Sequence, residues 1–126
     1  MSLVTPLNRV LGLGTAKGAA EHWWMQRLTA VALVPLAVWF VYGMVALPDF
    51  GFRAVVEWVH RPVTSILLIL FVGAAAYHSF LGVQVVIEDY VAGKGSRVAM
   101  LMASAFAHTA LTVAAVFSIL KIAFGS

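Results

Sequence analysis

Three apolar blocks, each long and nearly free of charge, divide the chain. They run from about Leu28 to Leu47, from about Pro62 to Ile87 and from about Val98 to Leu120. A helix of about 20 apolar residues crosses roughly 30 Å of hydrocarbon, so each block predicts a transmembrane span. Hydrocarbon offers no water to pair the backbone, and a helix satisfies those groups within itself. Pro48 and Asp49 close the first block, and Glu88 and Asp89 close the second, which opens on Pro62, a favourable first-turn residue. Pro35 removes a backbone donor inside the first span and is expected to bend it. Ala92 to Arg97 is short and glycine-rich, which makes spans two and three antiparallel neighbours. The expected fold is all-α: one membrane domain over residues 1–126, three spans running up-down-up, preceded by an inner-side segment 1–27.

The polar stretches refine this outline. Residues 21–27, Glu-His-Trp-Trp-Met-Gln-Arg, place paired tryptophans beside charge, the pattern of a headgroup-level anchor. Before residue 28 there is no short apolar core with a small-residue cleavage site, so no removable signal peptide is expected. Between Asp49 and Arg61, Phe52, Val55, Val56 and Val59 recur at helical spacing among Arg53, Glu57, Trp58 and His60, predicting a short amphipathic surface helix. Arg9, Lys17, Arg27, Lys94 and Arg97 fall on one side of the spans, and only Arg53, Arg61 and Lys121 on the other. The excess of positive residues on the cytoplasmic side then puts the N-terminus, Asp89 and Tyr90 inside.

Composition narrows the classes of function. The 126 residues are 63% hydrophobic and 10% charged, whereas soluble domains average about 25% charged. The formal charge of +3 comes from residues flanking the spans, with no basic stripe to read as a nucleic-acid surface. The chain has no cysteine, which excludes disulfides, zinc–thiolate sites and cysteine nucleophiles. Three spans are few for a transport machine, and such a bundle is expected to complete its packing against another subunit.

His78 is the sharpest candidate for chemistry. An ionisable residue inside a span is costly there and usually faces a partner or cavity, and a neutral imidazole is a natural axial ligand for haem iron. Gly82 lies one turn on and Ala74 and Ala75 one turn back, leaving a shallow strip where a flat macrocycle could approach the backbone. The alternative is a histidine bonded across a helix interface, with the small residues serving close packing. His108 sits at a similar depth in the third span. It could clamp the same haem within one chain, but the more ordinary packing role is favoured. His22 and His60 fall at the water edge, as surface histidines commonly do. No two histidines are three or four residues apart, so a local metal site is poorly supported.

Asp89 lies eleven residues beyond His78. On a helix that is within about 20° of the same face and about 16 Å away. Asp89 and Tyr90 fit an ordinary membrane boundary. The functional alternative is a quinone site, the phenol donating to a carbonyl while the acid orients it or relays protons, but the pair alone decides little. Arg27 reads as a snorkelling inner-face arginine, and if haem lies below, its propionates would be within reach of the guanidinium.

The run from His78 to Tyr90, a histidine, ten residues and then Asp-Tyr, with Gly82 four residues after the histidine, resembles the second transmembrane helix of the small membrane-anchor subunit of succinate dehydrogenase (respiratory complex II). Residues 22–30, His-Trp-Trp-Met-Gln-Arg-Leu-Thr-Ala, are similar to the start of that family's first helix in alphaproteobacterial style. The resemblance covers essentially the whole chain. It implies an anchor of two three-helix chains in the inner membrane, sharing one haem b with an axial histidine from each. His78 falls on the ligand, Arg27 on the propionate-side arginine, Tyr90 on the quinone-contacting tyrosine and Asp89 on its adjacent acid. It also implies that succinate is oxidised on a flavoprotein subunit and that electrons cross an iron–sulfur subunit to ubiquinone. This chain would then be non-catalytic alone and paired with a second anchor subunit. His108 is not called for by the motif. The rival classes are a small proton or solute transporter subunit and a membrane scaffold without redox chemistry.

Overall fold

The computed structural model describes residues 16–125, all in helices and their connections, with no strand among them. The order is α1 (Ala16–Val45), α2 (Phe52–His60), α3 (Pro62–Tyr90) and α4 (Lys94–Phe124). Arg9, counted above for orientation, lies outside the described residues, as does the side chain of Lys17. The chain is an all-α, multi-pass membrane protein: α1, α3 and α4 are each long and apolar enough to cross a bilayer.

The long helices outrun the apolar blocks that announce them. With 30, 29 and 31 residues, at about 1.5 Å per residue they are about 45 Å long, against roughly 30 Å of hydrocarbon. Their polar turns therefore extend into the headgroup zone. The difference is largest in α1, which carries residues 21–27 as helix rather than as a flanking edge. There Trp23 and Trp24 meet edge to face, with centroids 5.3 Å apart, and the Arg27 guanidinium lies 5.5 Å from the Trp23 ring centre. The helix continues through Pro35.

Helix α3 is the central element. It packs against α1 on one side and α4 on the other, and among the described residues the backbones of α1 and α4 do not come close to each other. The α3–α4 link is only three residues long. Arg97 holds it shut, donating from Nε and a terminal nitrogen to the Val91 carbonyl at 3.0 and 2.9 Å. Ser96 Oγ donates to the Gly93 carbonyl, and a Cβ at Gly93 would lie 2.6 Å from that hydroxyl.

The apolar core sits at the α2 end. Trp58, Val59, Leu68 and Ile119 are its buried centre, with Trp39, Phe40, Met44 and Val72 packed around them. Helix α2 lies on the surface with Val55, Val56 and Val59 turned partly or wholly inward. Trp58 is buried beside them, whereas Phe52, on the expected apolar face, is 87% exposed. The Trp58 ring stacks on Trp39 at 5.7 Å between centroids. His60 Nδ1–H donates to the Ile122 carbonyl at 2.9 Å, pairing one of the last carbonyls of α4.

Candidate functional site

At the opposite end, α1 and α3 diverge around a cavity of about 1110 Å³. This is slightly above the roughly 300–1,000 Å³ typical of ligand pockets. Helix α1 contributes His22, Gln26, Arg27 and Ala30, and α3 contributes His78, Gly82, Val85 and Glu88. The spacing explains the grouping. Positions 22, 26 and 30 follow a four-residue ridge of α1, and 78, 82 and 85 a stripe of α3, each one face of a helix.

His78 reaches α1 through its Nδ1, which is 2.9 Å from Thr29 Oγ1. Thr29 is 8% exposed. Its hydroxyl also contacts the Met25 carbonyl at 2.7 Å and the Gln26 carbonyl at 3.1 Å. Carbonyl oxygens only accept, so a hydroxyl proton directed at them leaves the hydroxyl oxygen to accept from an Nδ1–H of His78. In that tautomer the proton is on Nδ1, and Nε2 carries the lone pair on the Gln26 side. The Gln26 amide nitrogen stands 3.5 Å from Nε2, the outer limit of a hydrogen bond.

The same wall holds two unpaired polar atoms. Nε2 of His22 and Oε1 of Gln26 are buried and have no hydrogen-bond partner among the described residues. An unpaired buried polar group costs about 1–3 kcal/mol, so such atoms mark a surface that something else completes. Above Gly82 there is open space: a Cβ there would meet only the Gln26 amide, at 3.8 Å. A lone-pair nitrogen, a guanidinium, unpaired polar atoms and a glycine in one large cavity fit a flat, anionic, metal-containing group such as haem. Among the described residues no three of His, Cys, Asp and Glu cluster as an ion site.

His108 belongs elsewhere. Its Nδ1–H donates to the Ser104 carbonyl at 2.8 Å, which leaves Nε2 to accept from Ser79 Oγ at 3.1 Å. Phe80 packs edge-on, 5.7 Å between centroids. Nδ1 is thus spent on its own helix and Nε2 on Ser79 of α3, beside a separate groove lined by Gly73, Tyr77 and Thr112. His78 and His108 line different cavities.

Of the residues singled out from the sequence, the structure brings His78 and Arg27 onto one cavity wall, while Asp89 and Tyr90 do not line it. They end α3, Asp89 exposed and Tyr90 84% exposed. Glu88, one residue earlier, lines the cavity and accepts from the Gln84 amide at 2.9 Å. Sequence reasoning missed Thr29, Gln26 and the inward place of His22. Their shared spacing was the available signal, hidden by starting the first helix at Leu28.

The family model described as succinate dehydrogenase/fumarate reductase transmembrane subunit matches residues 1–119. The chain belongs to this family. It is 36% identical over 90 residues to the succinate dehydrogenase hydrophobic membrane anchor subunit of Rickettsia bellii, covering 71% of this chain and 72% of the relative. The subunit of the same description from Paracoccus denitrificans is 28% identical over 126 residues, covering 100% of this chain and 97% of the relative. The succinate dehydrogenase membrane anchor subunit of Reclinomonas americana is 25% identical over 94 residues, covering 72% and 78% respectively. No solved structure gives a significant match. With three candidate spans and this membership, the chain is a succinate dehydrogenase-type hydrophobic membrane-anchor subunit.

Proposed function

We propose that this chain supplies one axial histidine, His78, to a haem b shared with a second anchor subunit, and that Tyr90 and Asp89 form part of a ubiquinone-reduction site. In the same reading it anchors an iron–sulfur subunit and a flavoprotein subunit to the inner membrane, in a complex oxidising succinate. The observation that carries the proposal is His78 itself: Nδ1 tied to Thr29, and Nε2 on the wall of a large cavity that also holds Arg27 and Gly82.

When bound, the haem supplies a one-electron store beside the path to quinone. The chain's own residues do the rest. Thr29 holds the imidazole of His78 in orientation, as the outer partner of a ligating histidine does. Arg27 presents a fixed positive charge to propionates, and a guanidinium matches a carboxylate with two parallel bonds. Gly82 keeps the α3 surface low. Tyr90 is about 18 Å along α3 from His78. Its phenol donates to a quinone carbonyl, and Asp89 beside it orients that phenol or passes protons from water. The charge distribution supports this end of α3 facing inward.

A tagged copy purified from its native membranes tests the assignment. The expected result is co-purification with a flavoprotein, an iron–sulfur protein and a second small membrane chain, with succinate-dependent ubiquinone reduction. A transporter subunit or scaffold would bring down none of these redox partners.

A further inference from the structure

We propose that Thr29 is a positioning residue for His78, accepting the hydrogen bond that fixes the imidazole tautomer and setting the electron-donating strength of Nε2. This rests on the reading of His78 as a haem ligand and adds a residue on the opposite helix that acts only through it. The two positions are 49 residues apart in sequence and meet at 2.9 Å.

Three features make Thr29 a fixed acceptor rather than an incidental neighbour. It is buried, so water does not readily replace it. Its hydroxyl proton is engaged by the Met25 and Gln26 carbonyls of its own helix, which turns an oxygen lone pair toward α3. Its β-branched side chain is stiff on a helix, with few χ1 wells to escape into. The mutual dependence is strict. If the hydroxyl instead donated to Nδ1, the proton would sit on Nε2, and the lone pair needed for iron would face away from the cavity.

An Nδ1–H that donates to a good acceptor raises the basicity of the other ring nitrogen. A more basic axial nitrogen favours ferric over ferrous iron and lowers the midpoint potential. Removing the acceptor should therefore raise it, and restoring a hydroxyl should bring it back.

The test uses the assembled complex bearing Thr29→Val, Thr29→Ser or Thr29→Cys, with the haem midpoint potential measured by redox titration. Thr29→Val, close in shape but without the hydroxyl, should shift the ferric–ferrous equilibrium about tenfold toward ferrous, which is about +59 mV for one electron. Thr29→Ser should match wild type, and Thr29→Cys, with a weaker acceptor, should fall between. An unchanged potential in Thr29→Val, or a shift in Thr29→Ser as large as in Thr29→Val, overturns the proposal. If Thr29→Val does not assemble, Thr29→Cys decides: a raised midpoint supports the role, and a wild-type midpoint overturns it. Failure of the haem reading looks different, because the wild-type complex would then show no His78-dependent b-type spectrum at all. That result would overturn both.

Discussion

Trp58 of the short surface helix seats its indole directly on Gly43 of α1, so closely that a Cβ at position 43 would lie 2.6 Å from the ring. This contact ties α2 to the first span and lets the ring stack on Trp39 while Phe40 tilts against the same indole, 6.1 Å between centroids. It lies in the buried apolar cluster at the end of the bundle away from His78. Trp58→Ala should therefore destabilise the subunit by about 3 kcal/mol, the low end for removing a buried large aromatic. Gly43→Val should be at least comparably damaging, since the indole must move. Thermal unfolding of the detergent-solubilised complex reads both, and the haem absorption per folded complex should stay unchanged.

His108 and Ser79 make a second, separable prediction. With Nδ1 bonded within α4 and Nε2 bonded to Ser79 of α3, both ring nitrogens are engaged, and His108→Ala should leave the b-type spectrum intact. It should lower stability by about 1 kcal/mol, the net worth of the lost inter-helix hydrogen bond. Spectra and melting curves of the same preparation check this. Loss of the haem band in this variant would instead place His108 in the cofactor site.

Arg27 is expected to act on retention of the cofactor rather than on chemistry. A hydrogen bond to a charged group is worth about 1.5–3 kcal/mol, so Arg27→Gln should weaken haem retention roughly 10- to 100-fold. Arg27→Lys should lose less, keeping the charge but not the paired geometry. The haem-to-flavin ratio after extended washing measures it.

Tyr90→Phe removes one hydroxyl from an exposed position that touches no other described side chain by hydrogen bond. It should slow quinone reduction about tenfold, the worth of one well-made hydrogen bond, while succinate oxidation by an artificial acceptor is spared. Equal activity of variant and wild type with quinone would remove Tyr90 from the site.

How far these features could be read from the chain depends on what hydropathy reports. Charge-free blocks locate the hydrocarbon slab, so the three spans and the tight α3–α4 link were legible. Helical hydrogen bonding does not stop at the slab. The first twelve residues of α1, 16–27, were thus invisible to an argument from apolar runs. That cut separated His22 and Gln26 from Thr29, and with them the face that meets His78. Trp58 was obscured for a different reason: it sits between Glu57 and Val59, and its burial depends on the glycine at 43, a tertiary contact no local period encodes. The separation of His78 from His108 was equally non-local. Matched depth in the bilayer follows from position along a span, but the direction each imidazole points follows from which neighbour offers a partner, Thr29 or Ser79.

The central claim is that His78 holds iron. The most direct measurement is the reduced-minus-oxidised spectrum of the complex purified with its native partners, from wild type and from His78→Ala. A b-type band in wild type, lost or converted to a five-coordinate form in the variant at equal flavin content, is the predicted result. A wild-type complex without that band, or a variant spectrum identical to wild type, would contradict the account.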